Sequence, residues 1–311
     1  MQKIASTQRR PVRRLDATRV QDEQQVMFKM LVPPTEGDEG KNEYALLKYF
    51  SSPSLKDDPD NHVVPCLDSF PIPGVSSGQF VVMPLLSRYN NIPFYNLAEV
   101  HDFLQQLFKG LAFMHRNNTA HLDIASPNVM MDARPLYDEP FHPFYQTLSL
   151  DATRLLSPRY RRSEMNTRYY YIDLGYSVRF EDSTRQTVGS QARELAPEQE
   201  TGLPFDPVMV DVYQLGKMIE RDLIPKIKEI QFLEPLVRQM TRTNPAERPT
   251  LVGAQASMNT AFLGLSGWRY RWPIIPQEAE LRERLRYIFA GLTAEVRWWL
   301  HRVLTLFSRR G

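Results

Sequence analysis

The segment His121-Leu122-Asp123-Ile124-Ala125-Ser126-Pro127-Asn128 carries three chemically capable side chains in the pattern H-x-D-x-x-x-x-N. An apolar run, Val129-Met130-Met131, follows it. In a loop leading into a strand, Asp123 and Asn128 can face one small volume. An Asp there can accept a proton from a hydroxyl, and an Asn can hold a divalent cation bound to phosphates. His, Asp and Asn are also ordinary turn residues, and a turn-capping Asp123 accounts for the same spacing.

Other residues add to this pattern. Lys29 lies inside the apolar run Val26-Met27-Phe28-Lys29-Met30-Leu31. A lysine in an apolar strand is costly unless its ammonium meets anions or reaches water at a sheet edge. Glu43 opens a stretch of helical spacing, where an acid suits the helix dipole or pairs with Lys29. Tyr171-Ile172-Asp173-Leu174-Gly175 reads as a strand ending in an Asp. That carboxylate can swing onto a hard cation such as Mg²⁺, which prefers one or two carboxylates plus phosphate oxygens. Arg248 stands in a cramped Pro-rich turn, where a carboxylate such as Glu198 would explain it, or where it caps a helix in solvent.

The elements that must position these groups follow from periodicity. Strands are expected at 15–20 and 25–32, joined by a polar turn at 21–23, and again at 63–67 and 79–83. A helix is expected over 43–50, and Pro84 should end the strand run. Residues 85–93 read as a linker between a small strand-rich part (15–86) and a larger helical part (87–263). Val100, Phe103, Leu104, Leu107, Leu111 and Met114 recur at helical steps over 97–117, as core contacts should. Residues 135–166, rich in Pro, Tyr, Arg and Ser, read as an insertion or long surface loop. Asp211 should head an apolar helix, 232–240 should be helical, and 244–250 should open another helix.

From 278 to 307 the spacing of Leu281, Leu285, Ile288, Leu292, Val296, Trp299 and Val303 predicts an amphipathic helix. Docking on the protein's own body or on a partner helix is one reading. A membrane-surface helix is the other, supported by Trp298, Trp299, Arg302, Arg309 and Arg310. Over 278–311 the chain has seven Arg against four Glu, a modest excess. Residues 1–14, with Arg9, Arg10, Arg13 and Arg14, read as a basic flexible arm.

Composition narrows the classes. The chain has 311 residues, 42% hydrophobic and 24% charged, which suits a globular protein with a substantial core. A net charge of +2 gives no reason to expect nucleic acid. The single cysteine, Cys66, excludes an internal disulfide framework and fits a reducing, intracellular setting, cytoplasmic or nuclear. No signal peptide and no transmembrane helix are expected.

Taken in order, Lys29, Glu43, the segment around Met83 to Leu86, His121-x-Asp123, Asn128, Asp173-Leu174-Gly175, Ala196-Pro197-Glu198, Asp211 and Arg248 form one set. From about 15 to about 263 the chain resembles the eukaryotic protein kinase superfamily. More narrowly, Leu15-Asp16-Ala17-Thr18-Arg19, Asp58-Pro59-Asp60-Asn61-His62-Val63-Val64-Pro65 and Val129-Met130-Met131-Asp132 are similar to kinase-like proteins expanded in mushroom-forming fungi. The resemblance implies an α+β, bilobal, kinase-like fold with a C-terminal amphipathic helix outside it. It implies ATP and Mg²⁺ as cofactors and a protein hydroxyl as acceptor. Lys29 would contact the ATP phosphates and pair with Glu43, and Met83 and Leu85 would line the nucleotide. Asp123 would accept the hydroxyl proton, Asn128 and Asp173 would hold Mg²⁺, and Glu198 and Arg248 would form a buried pair. Asp211 would brace the catalytic loop.

The sequence also departs from that pattern. No glycine precedes Gly37, so no Gly-rich loop lies ahead of Lys29, and the small lobe reads as truncated. Leu122 replaces the usual Arg, Leu174 replaces Phe, and Ala125 stands where serine/threonine kinases place a lysine. A pseudokinase scaffold is the alternative expectation. A small-molecule kinase of the aminoglycoside or choline type, which shares H-x-D-x-x-x-x-N, is a third.

Overall fold

Strand β1 (Arg14–Thr18) pairs antiparallel with β2 (Gln25–Leu31), with Leu15 opposite Phe28 and Ala17 opposite Val26. The polar turn between them uses a left-handed Glu23 (φ 56°) and closes through the Arg19 amide on the Gln24 carbonyl. Helix α1 (Glu43–Phe50) has the expected bounds, with Glu43 in its first turn. The computed structural model describes residues 14–32, 42–180, 185–189, 191–276 and 279–308. The expected basic arm, apart from the Arg14 backbone, and most of the loop before Glu43 lie outside these residues. So do Arg309 and Arg310, and the side chains of Arg14, Trp298, Arg302 and Val303.

The strand expected at 63–67 does not form. Pro65 lacks the amide that a ladder needs. Instead the stretch runs alongside a later strand, with the Val64 amide on the Tyr171 carbonyl (3.0 Å) and the Tyr171 amide on the His62 carbonyl (2.7 Å). Pairing resumes at β3 (Asp68–Pro71), which lies against β4 (Gln79–Pro84). Pro84, expected to break the run, is the last residue of β4 and sits opposite Val26. The four strands make one antiparallel sheet of order β1-β2-β4-β3.

The segment expected to be a plain linker contains β5 (Ser87–Arg88). Then comes α2 (Leu97–Arg116), whose first turn is capped by the Asn96 side chain on the Glu99 amide. Val100, Phe103, Leu104, Leu107 and Leu111 are fully buried along it. Each such burial contributes about 1.5–3 kcal/mol, so this helix anchors the core. Short strands follow: β6 (Thr119–Ala120), β7 (Val129–Met131), β8 (Tyr169–Tyr171) and β9 (Val178–Arg179). β5, β7 and β8 form one small sheet, and β6 pairs with β9.

Helix α3 (Pro207–Met218) starts four residues before Asp211. Asp206 caps it through the Val208 amide, and Pro207 suits the first helical position, so Asp211 is not at the head as expected. It is inside the helix and fully buried. Helices α4 (Glu234–Met240), α5 (Leu251–Leu263), α6 (Gly267–Arg271) and α7 (Leu281–Ser308) complete the chain. The whole is a mixed α+β molecule, as expected. Among the described residues no helix is long and apolar enough to cross a membrane.

Residues 135–166 are more than a surface loop. They fold on themselves through bridges Phe141–Ser149 and Leu148–Leu155, and Phe141 is buried. Arg162 is 3% exposed. Its guanidinium donates to the carbonyls of Tyr89 and Ile92 and to the Tyr169 hydroxyl, and lies 4.0 Å from the centre of the Phe94 ring. Gln146 donates to the Leu86 carbonyl, and Gln25 donates to the Phe141 carbonyl.

Helix α7 meets the body along one edge. Arg271 holds Glu295 through two bonds of 2.7–2.8 Å. Gly291 lies so close to Pro273 and Trp272 that a Cβ there would come within 2.9 Å of the Pro273 ring.

Candidate functional site

Asp211 supports the loop of residues 121–128 from beneath. Its carboxylate accepts the amides of His121 (2.9 Å) and Leu122 (2.8 Å) and bonds His115 Nε2 (2.8 Å). These bonds hold Leu122 in the left-handed region (φ 60°), which a leucine adopts only when its surroundings impose it. His121 donates from Nε2 to the Ile172 carbonyl, so its Nδ1 can accept the Asp123 amide. The loop then turns through Ser126–Asn128 into β7.

Asp123 and Asn128 meet as their spacing suggests. The Asn128 amide nitrogen donates to Asp123 Oδ2 (2.6 Å) and to the Asp123 carbonyl (2.9 Å), leaving its Oδ1 as the other polar atom of that side chain. The Arg193 amide donates to Asp123 Oδ1 (2.7 Å), and the Arg193 guanidinium stands 3.5 Å from Oδ2. Asp123 is 3% exposed while the Arg193 side chain is about half exposed, so Arg193 covers the carboxylate on its open side.

Lys29 crosses from β2 to two acids far along the chain. Its Nζ is 2.5 Å from Glu43 Oε1 and 2.7 Å from Asp173 Oδ1. Burial pushes the Glu43 carboxyl above the usual carboxylate range, against the pull of the Lys29 charge. Asp173 adopts the left-handed conformation (φ 64°) at the end of the β8 segment, which turns its carboxylate toward Lys29.

These groups stand at an apolar cavity of about 80 Å³. Lys29, Glu43 and Asp173 line it with Met27, Val64, Met83, Leu86 and Met130. Met83 lines this cavity. Leu85 is not on this wall: it is 1% exposed in the core, and its neighbours Pro84 and Leu86 face the cavity. Glu198 and Arg248 meet in the expected pair, with two bonds of 2.6 and 2.7 Å. The Arg248 side chain is fully buried and also donates to the carbonyls of Arg242 and Met209.

Two contributors escape sequence reasoning. Gln214 accepts the Ile124 amide and donates to the carbonyls of Leu122 and Glu194, tying the loop to the segment that carries Arg193. Arg193 itself lies 70 residues beyond Asp123, and no local pattern marks it. Its only signal is indirect, because Ala125 leaves the loop without a cation of its own.

As a donor set, the Asn128 side-chain oxygen and the Asp173 carboxylate are hard oxygen ligands of the kind Mg²⁺ takes together with phosphate oxygens. No family model matches the chain, and no curated protein matches it.

Proposed function

We propose that the protein is a phosphotransferase of the protein kinase type, with a bilobal kinase-like fold, using ATP and Mg²⁺ to phosphorylate a protein hydroxyl. The observation that carries this reading is Lys29. Its ammonium joins Glu43 and Asp173 at the mouth of an apolar cleft, while Asp123 and Asn128 form a second polar cluster on the adjoining loop.

The residues divide the work by charge. Lys29 neutralises phosphate charge on the nucleotide, and Glu43 keeps the ammonium in place. Asn128 and Asp173 would hold Mg²⁺, which supplies further neutralisation of the phosphate oxygens. Asp123 orients the acceptor hydroxyl and takes its proton as the new O–P bond forms and the bond to the leaving phosphate breaks. Asn128 fixes the Asp123 carboxylate for that purpose. Transfer of this kind depends on positioning and charge more than on covalent chemistry.

Thermal unfolding with ATP, with and without Mg²⁺, tests the reading. Nucleotide at about 100 times its dissociation constant adds roughly 2.7 kcal/mol. At about 2–4 °C per kcal/mol for a domain of this size, the midpoint rises by several degrees. Lys29→Met and Asp173→Asn should abolish the rise. A folded wild type that shows no rise supports a scaffold without nucleotide chemistry.

A further inference from the structure

We infer that helix α7 is a docking face for an anionic membrane surface. Leu281, Leu285, Ile288, Leu292, Val296 and Trp299 are each between 37% and 76% exposed, and Phe289 beside them is 65% exposed. The body contacts a different edge of the helix, through Glu295 and Gly291. An exposed apolar stripe from Leu281 to Val296 marks a surface built to meet something else.

The period of the stripe selects the occupant. Leu281 to Trp299 takes five steps over 18 positions. That is about 3.6 residues per step, the period of a straight helix, so the stripe runs parallel to the axis. A helix that wraps a second helix needs about 3.5, and a straight helix drifts off that register by about 20° per heptad. A straight stripe about 27 Å long fits a flat surface better than a supercoiled partner.

Charge selects the surface. Arg282 and Arg286 fall roughly 100° and 140° round the helix from Leu281, on the flank away from Gly291. Long cationic side chains there bury their stems and place their charges at headgroup level. From 296 to 311 the chain has Arg297, Arg302, Arg309 and Arg310 and no Asp or Glu. Acidic headgroups attract such a segment, whereas a parallel second copy of it repels. Because no described helix is long and apolar enough to span a bilayer, the helix lies on the surface.

The test is vesicle flotation of the full chain. Phosphatidylcholine vesicles are compared with vesicles containing phosphatidylserine, at about 0.1 M and about 0.5 M salt. The wild type should float with the phosphatidylserine vesicles at low salt and be released at high salt. The Leu285→Glu/Leu292→Glu double variant, folded by its unchanged thermal midpoint, should lose at least about tenfold in bound fraction. Arg282→Glu/Arg286→Glu should also lose binding to the phosphatidylserine vesicles, and unchanged flotation of this variant overturns the proposal. A wild type that remains unbound overturns the proposal, as does a double variant that still floats. A dimer in sedimentation equilibrium that the double variant dissolves, with no flotation, assigns the face to a second copy instead.

Discussion

At the scale of single residues, Asp123 is the sharpest test of the chemistry. Replacing it with Ala should lower phosphotransfer by roughly 10²–10⁴, the usual weight of a positioned proton acceptor, with nucleotide binding retained. Single-turnover rates with a peptide acceptor read this, and an unchanged rate removes Asp123 from the role. The sequence revealed Asp123, Asn128, Lys29 and Glu43 because each belongs to a short local pattern or stands out against an apolar background. Arg193 and Gln214 were illegible because their roles exist only once chain segments about 70 and 90 residues apart meet. Leu85 was misread by one position. Alternate residues of an extended segment face opposite sides, and only the fold says which side is the cleft.

At the scale of elements, two links carry measurable weight. Arg248 and Glu198 tie the turn before α5 to the Ala196-Pro197-Glu198 segment. Arg248→Ala leaves a nearly buried carboxylate unpaired and should cost about 3–5 kcal/mol in denaturant unfolding. A loss below about 1 kcal/mol would show that the pair does not brace this region. The second link is His62, whose Nδ1 donates to the Tyr169 carbonyl (2.8 Å) while its Cβ fills the space left by Gly110. Burial pulls the imidazole down to about 4 from the ordinary 6.5. Between those values the unfolded chain holds a proton that the folded chain refuses. Stability therefore falls as pH drops from about 6.5 to about 4, by about 3 kcal/mol in all, and the loss ends below that window. Urea midpoints of wild type and His62→Gln across the range should differ by this slope; parallel curves would dismiss it. The helices were readable in advance because their period is long and regular. The strand at 63–67 was not, since its apolar run is real but its amides bond to scattered partners, Val64 to the Tyr171 carbonyl, Cys66 to the Ser51 hydroxyl and Leu67 to the Val82 carbonyl.

At the scale of the whole molecule, the strand and helix periods and the kinase resemblance implied the α+β class but not the place of residues 135–166. Their Pro, Tyr and Arg content resembles that of an exposed loop. What makes them integral is Arg162, whose charge is absorbed by two carbonyls, a hydroxyl and an aromatic face. Arg162→Ala should destabilise the entire chain by at least about 2 kcal/mol, since each buried polar group left without a partner costs about 1–3 kcal/mol. Calorimetry should show one lowered transition; a separate early transition would mean that the segment melts independently.

The same segment has a mechanical consequence. Gln146 holds the carbonyl of Leu86, and Phe141 accepts from Gln25 at the start of β2, so the segment grips the chain on both sides of the crossing at residues 84–86. It acts as a splint across a joint. A swing of the strand layer against the helices would strain those two bonds, so the segment stiffens the cavity at Lys29 without lining its wall.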